Sequence, residues 1–138
     1  MAVRVFVAGG TGVVGRRLMP QPVARGHQVT ATTTSAAKLG LLRELAAEAV
    51  VMDGLDGVSV GEAVAKARPD VIVHQMTAIT GKPDIKHMDR WFATTNRLRT
   101  VGTDHLLAAA EAKAKAKREL GWELRHPSWR QGFREGLA

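Results

Sequence analysis

Residues 3–15 read VRVFVAGGTGVVG. A short apolar run rich in β-branched residues ends in a glycine-rich turn, and the turn passes straight into helix-forming sequence. Gly9, Gly12 and Gly15 fall three apart, with Gly10 as an extra. A glycine at position 9 lets the chain turn sharply. Gly12 has no Cβ, so its backbone can approach a pyrophosphate, and Gly15 lets the helix pack close to the strand. The free N–H groups and positive dipole end of that helix then face the phosphates. A plain tight turn also uses glycine, but here both the preceding strand and the following helix fit. The stretch therefore predicts the opening of a dinucleotide-binding βαβ unit. Gly9, Thr11, Gly12, Val13, Val14 and Gly15 are its candidate contacts.

Outward from this turn, strand and helix alternate four times. The first strand is Val3–Ala8, and a helix from about Gly12 to Arg25 follows. Pro20 and Pro22 should kink or shorten that helix, and Gly26 is placed to stop it. His27–Thr33 alternates as a second strand. Ser35 is placed to cap a helix over Ala36–Ala47, with Leu39, Leu42 and Leu45 facing the core. Ala49–Met52 is the third strand, and a short helix from Ser59 or Val60 to Ala67 follows it. Val71–His74 is a fourth strand whose apolar character suits burial on both faces. A long helix over His87–Ala112 keeps Thr95, Leu98, Gly102, Leu106 and Ala109 on one side. This pattern predicts an α/β fold, a Rossmann-like doubly wound parallel sheet of strand order 3-2-1-4. It divides the chain into a dinucleotide-binding domain over 1–112 and a basic helical tail over 113–138.

Composition narrows the classes. The 138 residues include no cysteine, so disulfides and thiolate metal sites are excluded. The five histidines form no cluster that suggests a metal site, and His74 reads as a core residue. No apolar run would span a membrane and no signal-peptide pattern opens the sequence, so the expected location is cytoplasmic. The net charge of +7 raises a nucleic-acid partner as an alternative. Aromatics are only 4%, however, with no interleaved stacking set, so a solvated helix face is the better reading of Lys113–Arg118.

The GxxGxxG spacing with Thr11 inside it resembles the extended and atypical short-chain dehydrogenase/reductases, the group that includes the NAD-dependent epimerase/dehydratase family. Three further stretches carry the resemblance. VIVHQMTA at 71–78 is similar to a family stretch whose small residues line the cofactor ribose, which makes Met76, Thr77 and Ala78 candidates. TTNRLRTVGTDHLLAAA is similar to the family's N-x-x-G-T-x-N-L-L-x-A-A helix. Asn96, Gly102, Thr103 and Leu106 match at slightly extended spacing, and His105 stands where the family has Asn. KAKRELGW and HPSWRQGFREGL resemble the family's C-terminal tail, with Trp122 and Trp129 as packing residues. The resemblance also gives Asp53, beside Gly54 after the third strand, the role of reading the adenine amino group. A turn-forming Asp–Gly pair is the alternative.

The sequence departs from the family in its middle. The family's catalytic centre is a Ser or Thr followed by Tyr-x-x-x-Lys, and this sequence contains no tyrosine. After Glu111–Ala112 it passes directly to tail-like residues. The leading expectation is an NAD(P)-binding protein of this type, inactive or incomplete as written, that self-associates through the open edge of its fourth strand. An intact oxidoreductase or sugar epimerase acting on a carbonyl, hydroxyl or nucleotide-sugar substrate, with its middle outside this sequence, is the second. A small basic nucleic-acid-binding module is the third. On cofactor choice, no acidic residue occurs between Gly15 and Glu44, where an NAD-selective site carries its ribose-binding carboxylate. Thr34, Ser35 and Lys38 stand there instead, and they predict a modest preference for NADP(H); Ser35 as a plain helix cap and Lys38 as a solvated charge are the alternative.

Overall fold

The computed structural model describes residues 2–45 and 47–119, the last four by backbone alone. Four parallel strands form one sheet: β1 (Arg4–Ala8), β2 (Gln28–Thr33), β3 (Glu48–Val51) and β4 (Val71–His74). Their order is β3-β2-β1-β4, as the alternation predicts. Val5 sits opposite Val29 on one side and Val71 on the other, so β1 is central. Phe6, Val7 and Ala8 are fully buried, because both faces of this strand are covered.

Period-two alternation sends the side chains of β1 into two separate cores. Val7 joins Met19, Val29, Ala31, Leu42 and Ala47. Those partners come from β2 and from the helices α1 (Val13–Leu18), α2 (Pro20–Ala24) and α3 (Leu39–Glu44) with their flanks. Phe6 and Ala8 join Met52, Val60, Ala63, Val64, Met76 and Leu106. These belong to the opposite face, covered by α4 (Gly57–Ala67) and α5 (Met88–Glu119). The sheet is thus doubly wound.

The first helix divides at Met19, and Pro20 opens the second segment at a position where its missing N–H costs nothing. Gly26 takes φ +80 at the stop. The second helix is shorter than its leucine spacing suggests. A 3-10 turn over Ala36–Lys38 precedes α3, and Ser35 makes no side-chain capping bond. α4 begins earlier than expected, because Asp56 Oδ1 accepts from the N–H groups of Val58 (3.0 Å) and Ser59 (3.4 Å). β4 is half-buried rather than buried on both faces, since it lies at the sheet edge and Val71 is 46% exposed. α5 continues past Ala112 to Glu119 without a break, so the described part of the tail is the end of this helix. Trp122 and Trp129 lie outside the described residues. No helix among the described residues is long and apolar enough to cross a membrane.

The glycine turn is packed as tightly as the cores. A Cβ on Gly10 would lie 2.8 Å from Ala31 Cβ and 3.2 Å from both Leu42 Cδ2 and Met19 Sδ. One on Gly15 would lie 2.8 Å from the carbonyl oxygens of Gly9 and Gly10. Gly15 therefore admits the helix against the turn itself. Overpacking of this kind costs about 1–3 kcal/mol. Gly10→Ala is expected to lower stability by about that amount in a denaturant titration. An unchanged midpoint would show that the turn can shift to make room.

Candidate functional site

The C-terminal ends of parallel strands are where an open α/β sheet leaves a crevice. Here four segments meet at that end: the turn after β1, the end of β2, Asp53–Gly54 after β3, and Gln75–Ala78 after β4.

The turn is stitched to its neighbours. Gly9 N–H donates to Thr32 Oγ1 (3.0 Å) and Gly10 N–H to the Thr32 carbonyl (2.9 Å). Gly9 has φ +88, and a Cβ there would lie 2.6 Å from the Gln75 carbonyl oxygen. Only glycine can hold this place, so the turn touches both β2 and the segment leaving β4. Gly12 differs from the other two. It is exposed, and a Cβ on it would meet nothing nearer than Gly9 O at 3.7 Å. Gly12 also caps α1 without a side-chain bond, so the first-turn N–H groups have no intrahelical acceptor. Val13 and Val14 beside it are exposed.

At the end of β2, Thr34 is exposed and Ser35 half-buried. The Ser35 N–H donates to Thr33 Oγ1 (3.2 Å), and Lys38 is exposed. After β3, the Asp53 N–H donates to Ser59 Oγ (3.0 Å), and Asp53 Oδ1 accepts from Leu55 N–H (2.9 Å). The turn-forming role of Asp53 is therefore filled, and its carboxylate is still exposed at the ligand end.

The residues after β4 divide. Met76 is buried among core residues, and a Cβ on Gly54 would lie 2.4 Å from its sulfur. Its side chain is taken up by packing between Gly54 and Gly102. Thr77 is exposed, and the Ala78 N–H donates to the fully buried Thr95 of α5 (3.0 Å). His74 is a satisfied core histidine. Its Nδ1 accepts from Met76 N–H (3.2 Å), which leaves Nε2–H to donate to the Leu98 carbonyl (3.0 Å).

Two residues with a place at this end were not among the sequence candidates. Arg16 Nε–H donates to the Thr11 carbonyl (2.8 Å), which lays a guanidinium on the glycine turn. His105 Nδ1–H donates to the Gly54 carbonyl (3.1 Å) and ties α5 to the Asp53 turn. Only the position of His105 in the family-like helix pointed towards it. Nothing in the spacing marked Arg16. A separate concavity, lined by Arg4, His27, Glu48, Lys66 and Arg68, lies at the opposite ends of β1 and β2. Strand polarity, rather than the size of a hollow, marks the candidate site.

Comparison with known proteins agrees with the fold. A Streptomyces protein, 3-diazoavenalumate denitrifying reductase, is 43% identical over 129 residues, which is 94% of this chain and 40% of the reductase. The chain thus spans less than half of that relative. Among solved structures, the Bordetella bronchiseptica enzyme WbmH in complex with NAD+ matches 83% of this chain and 36% of its own, at 23% identity and a TM-score of 0.60. The Thermus thermophilus UDP-glucose 4-epimerase complex with NAD matches 80% of this chain and 34% of its own, at 24% identity and a TM-score of 0.62. These two share the fold. Residues 5–120 match the NAD dependent epimerase/dehydratase family, and the chain belongs to that family.

Proposed function

We propose that this chain is the dinucleotide-binding part of an NAD(P)-dependent reductase or epimerase, and that it prefers NADP(H) modestly. The observation that carries the reading is the contrast among the glycines. Gly9, Gly10 and Gly15 are held by packing, whereas a Cβ on Gly12 would make only an ordinary contact, with the Gly9 carbonyl oxygen at 3.7 Å. A fold needs the first three. The exposed, uncrowded Gly12 and the free first-turn N–H groups suit a pyrophosphate approaching the backbone.

In this reading Gly9, Thr11, Gly12, Val13, Val14 and Gly15 hold the pyrophosphate side. Asp53 and Gly54 flank the adenine, Thr77 and Ala78 line the ribose side, and Met76 acts through its main chain. Thr34, Ser35 and Lys38 meet the adenosine ribose and its 2′-substituent. Ser35 makes no capping bond, so its hydroxyl is not spent on α3. A bound NAD(P)H supplies a hydride. The protein's part is to orient the cofactor, and the family's proton-transfer tyrosine has no counterpart in these 138 residues. The relatives' names give a diazo compound for the reductase and a nucleotide sugar for the epimerase, and a substrate for a longer protein would be sought first among these classes and the carbonyl and hydroxyl compounds of the family.

Fluorescence titration with NADPH and NADH tests the reading. Wild type is expected to bind both, NADPH the more tightly, and Lys38→Ala to narrow the difference. Gly12→Ala is expected to keep the wild-type melting curve and to weaken both cofactors. Equal wild-type affinities would remove the NADP(H) preference, and no binding at all would remove the reading.

The 138-residue polypeptide is expected to give no cofactor-dependent turnover of carbonyl or nucleotide-sugar substrates. General acid–base catalysis alone contributes about 10²–10⁴-fold, and these residues include no tyrosine to supply it. Turnover by a mass-verified sample would overturn this.

Self-association is the third expectation. β4 is one of the two edge strands of the sheet among the described residues, and an unpaired edge is a template for another strand. Sedimentation equilibrium should show a mass that rises with concentration, and Val71→Lys should reduce it. A monomer at high concentration would reject the idea.

A further inference from the structure

We propose that His105 is a positioning residue for the cofactor's adenine. By holding the turn at Asp53–Gly54 from α5, it sets how well the site tells adenine from a purine that lacks the 6-amino group. The inference rests on the dinucleotide reading above, in which Asp53 flanks the adenine. It adds a residue of α5 that acts through the turn rather than on the ligand.

The turn is closed on itself. The Asp53 N–H donates to Ser59 Oγ (3.0 Å), Asp53 Oδ1 accepts from the Leu55 N–H (2.9 Å), and the Asp53 carbonyl accepts from the Asp56 N–H (3.1 Å). Asp56 in turn caps α4. Among the described residues, every hydrogen bond of Asp53, Gly54, Leu55 and Asp56 but one stays within residues 53–60. The exception is the bond from His105 Nδ1–H to the Gly54 carbonyl (3.1 Å). It ties the turn to an element other than the helix that the turn opens.

One peptide plane carries the effect to the carboxylate. The Gly54 carbonyl and the Leu55 N–H belong to the same planar group, and a trans bond points them in opposite directions. His105 holds the carbonyl side, and Asp53 Oδ1 accepts from the amide side. A rotation of this plane therefore carries the Asp53 carboxylate with it. Asp53 is exposed, and its Oδ2 has no hydrogen-bond partner among the described residues. The oriented carboxylate thus keeps one oxygen to accept from an amino group.

The imidazole is itself held. It is half-buried, and a Cβ on Gly57 would lie 3.3 Å from both its Cδ2 and its Nε2, so α4 opens on a bare residue where the ring sits. Met76 and Leu98 also pack on Gly54. Apolar contact is non-directional, however, and does not set the rotation of a peptide plane, whereas a hydrogen bond to its carbonyl does. The plain structural alternative is that His105 only joins α5 to α4. That role would lower stability and weaken every ligand alike.

The test uses wild type, His105→Ala, His105→Leu and His105→Asn, each with a thermal melt. The probes are NADH and its analogue with hypoxanthine in place of adenine, and AMP and IMP, which differ in the same way. Hypoxanthine has a carbonyl where adenine has the amino group, so it offers the carboxylate no donor there. Wild type is expected to bind the adenine member of each pair more tightly. A neutral hydrogen bond is worth on the order of twofold to tenfold in affinity. His105→Ala and His105→Leu are expected to lose about that much for NADH and AMP, while the hypoxanthine probes change by less than about twofold. The amide N–H of His105→Asn stands on the same side-chain carbon as Nδ1–H, so this variant should keep the wild-type preference. If His105→Ala does not fold, the contrast between His105→Asn and His105→Leu decides. Equal losses for both members of a pair, an unchanged preference in folded His105→Ala or His105→Leu, or a lost one in folded His105→Asn would overturn the assignment and leave the dinucleotide reading standing. Equal wild-type affinities within each pair would do the same. Failure of folded wild type to bind any of the four probes would overturn both together.

Discussion

The close approach of the glycine turn to β2 and to the segment leaving β4 is the constraint on which this structure depends. Two N–H groups of the turn are committed to Thr32, one to its side chain and one to its main chain. The missing Cβ of Gly9 admits the Gln75 carbonyl, and that of Gly10 admits Ala31, Leu42 and Met19. One short turn thus fixes three strand ends and two helices against one another. Paired donors in such a place avoid the cost of burying an unsatisfied amide. The donors left over, at the start of α1, have no side-chain cap and follow the exposed Gly12. The same packing that builds the sheet separates the backbone groups that hold the fold from those at the helix start that do not.

A second brace lies on the opposite face. Met76 fills the space between Gly54 and Gly102, both of which lack the Cβ that would exclude its sulfur and methyl group. His105 donates to the Gly54 carbonyl from one turn further along α5. Thr95, on the same helix, accepts from Ala78. α5 therefore holds the ends of both β3 and β4. This explains a long helix whose buried residues are few: Thr95, Gly102 and Leu106 face the sheet, and much of the remainder is exposed.

The order of the strands was legible in the sequence because hydrophobic runs and glycine turns are local signals, and crossovers leave few ways to arrange them. Boundaries were legible only where a cap or a breaker is itself local. Pro20 marked a break. Asp56 did not stand out, because the Asp-Gly pair it forms with Gly57 reads equally well as a turn. The burial of Met76 was hidden for a different reason. Its partners Gly54 and Gly102 are 22 and 26 residues away in sequence, and no periodicity links them. Gly10 looked redundant beside the three spaced glycines, yet of the four it is the one enclosed by side chains. Spacing reveals which residues recur. It does not reveal which lack room.

Charge adds a longer-range argument to these contacts. All 13 acidic residues of the chain lie at or after Glu44. The turn, α1, α2 and β2 are therefore built from a segment carrying cations alone. Order along the sequence is not placement on the surface, however: the Asp70 carboxylate accepts from the Arg4 N–H (2.9 Å), and Asp53 is exposed at the same strand ends as the turn. What the segregation does leave is a glycine turn and a first helix whose own side chains include no carboxylate, so that in the proposed reading a pyrophosphate approaching the turn would meet no like charge from those elements.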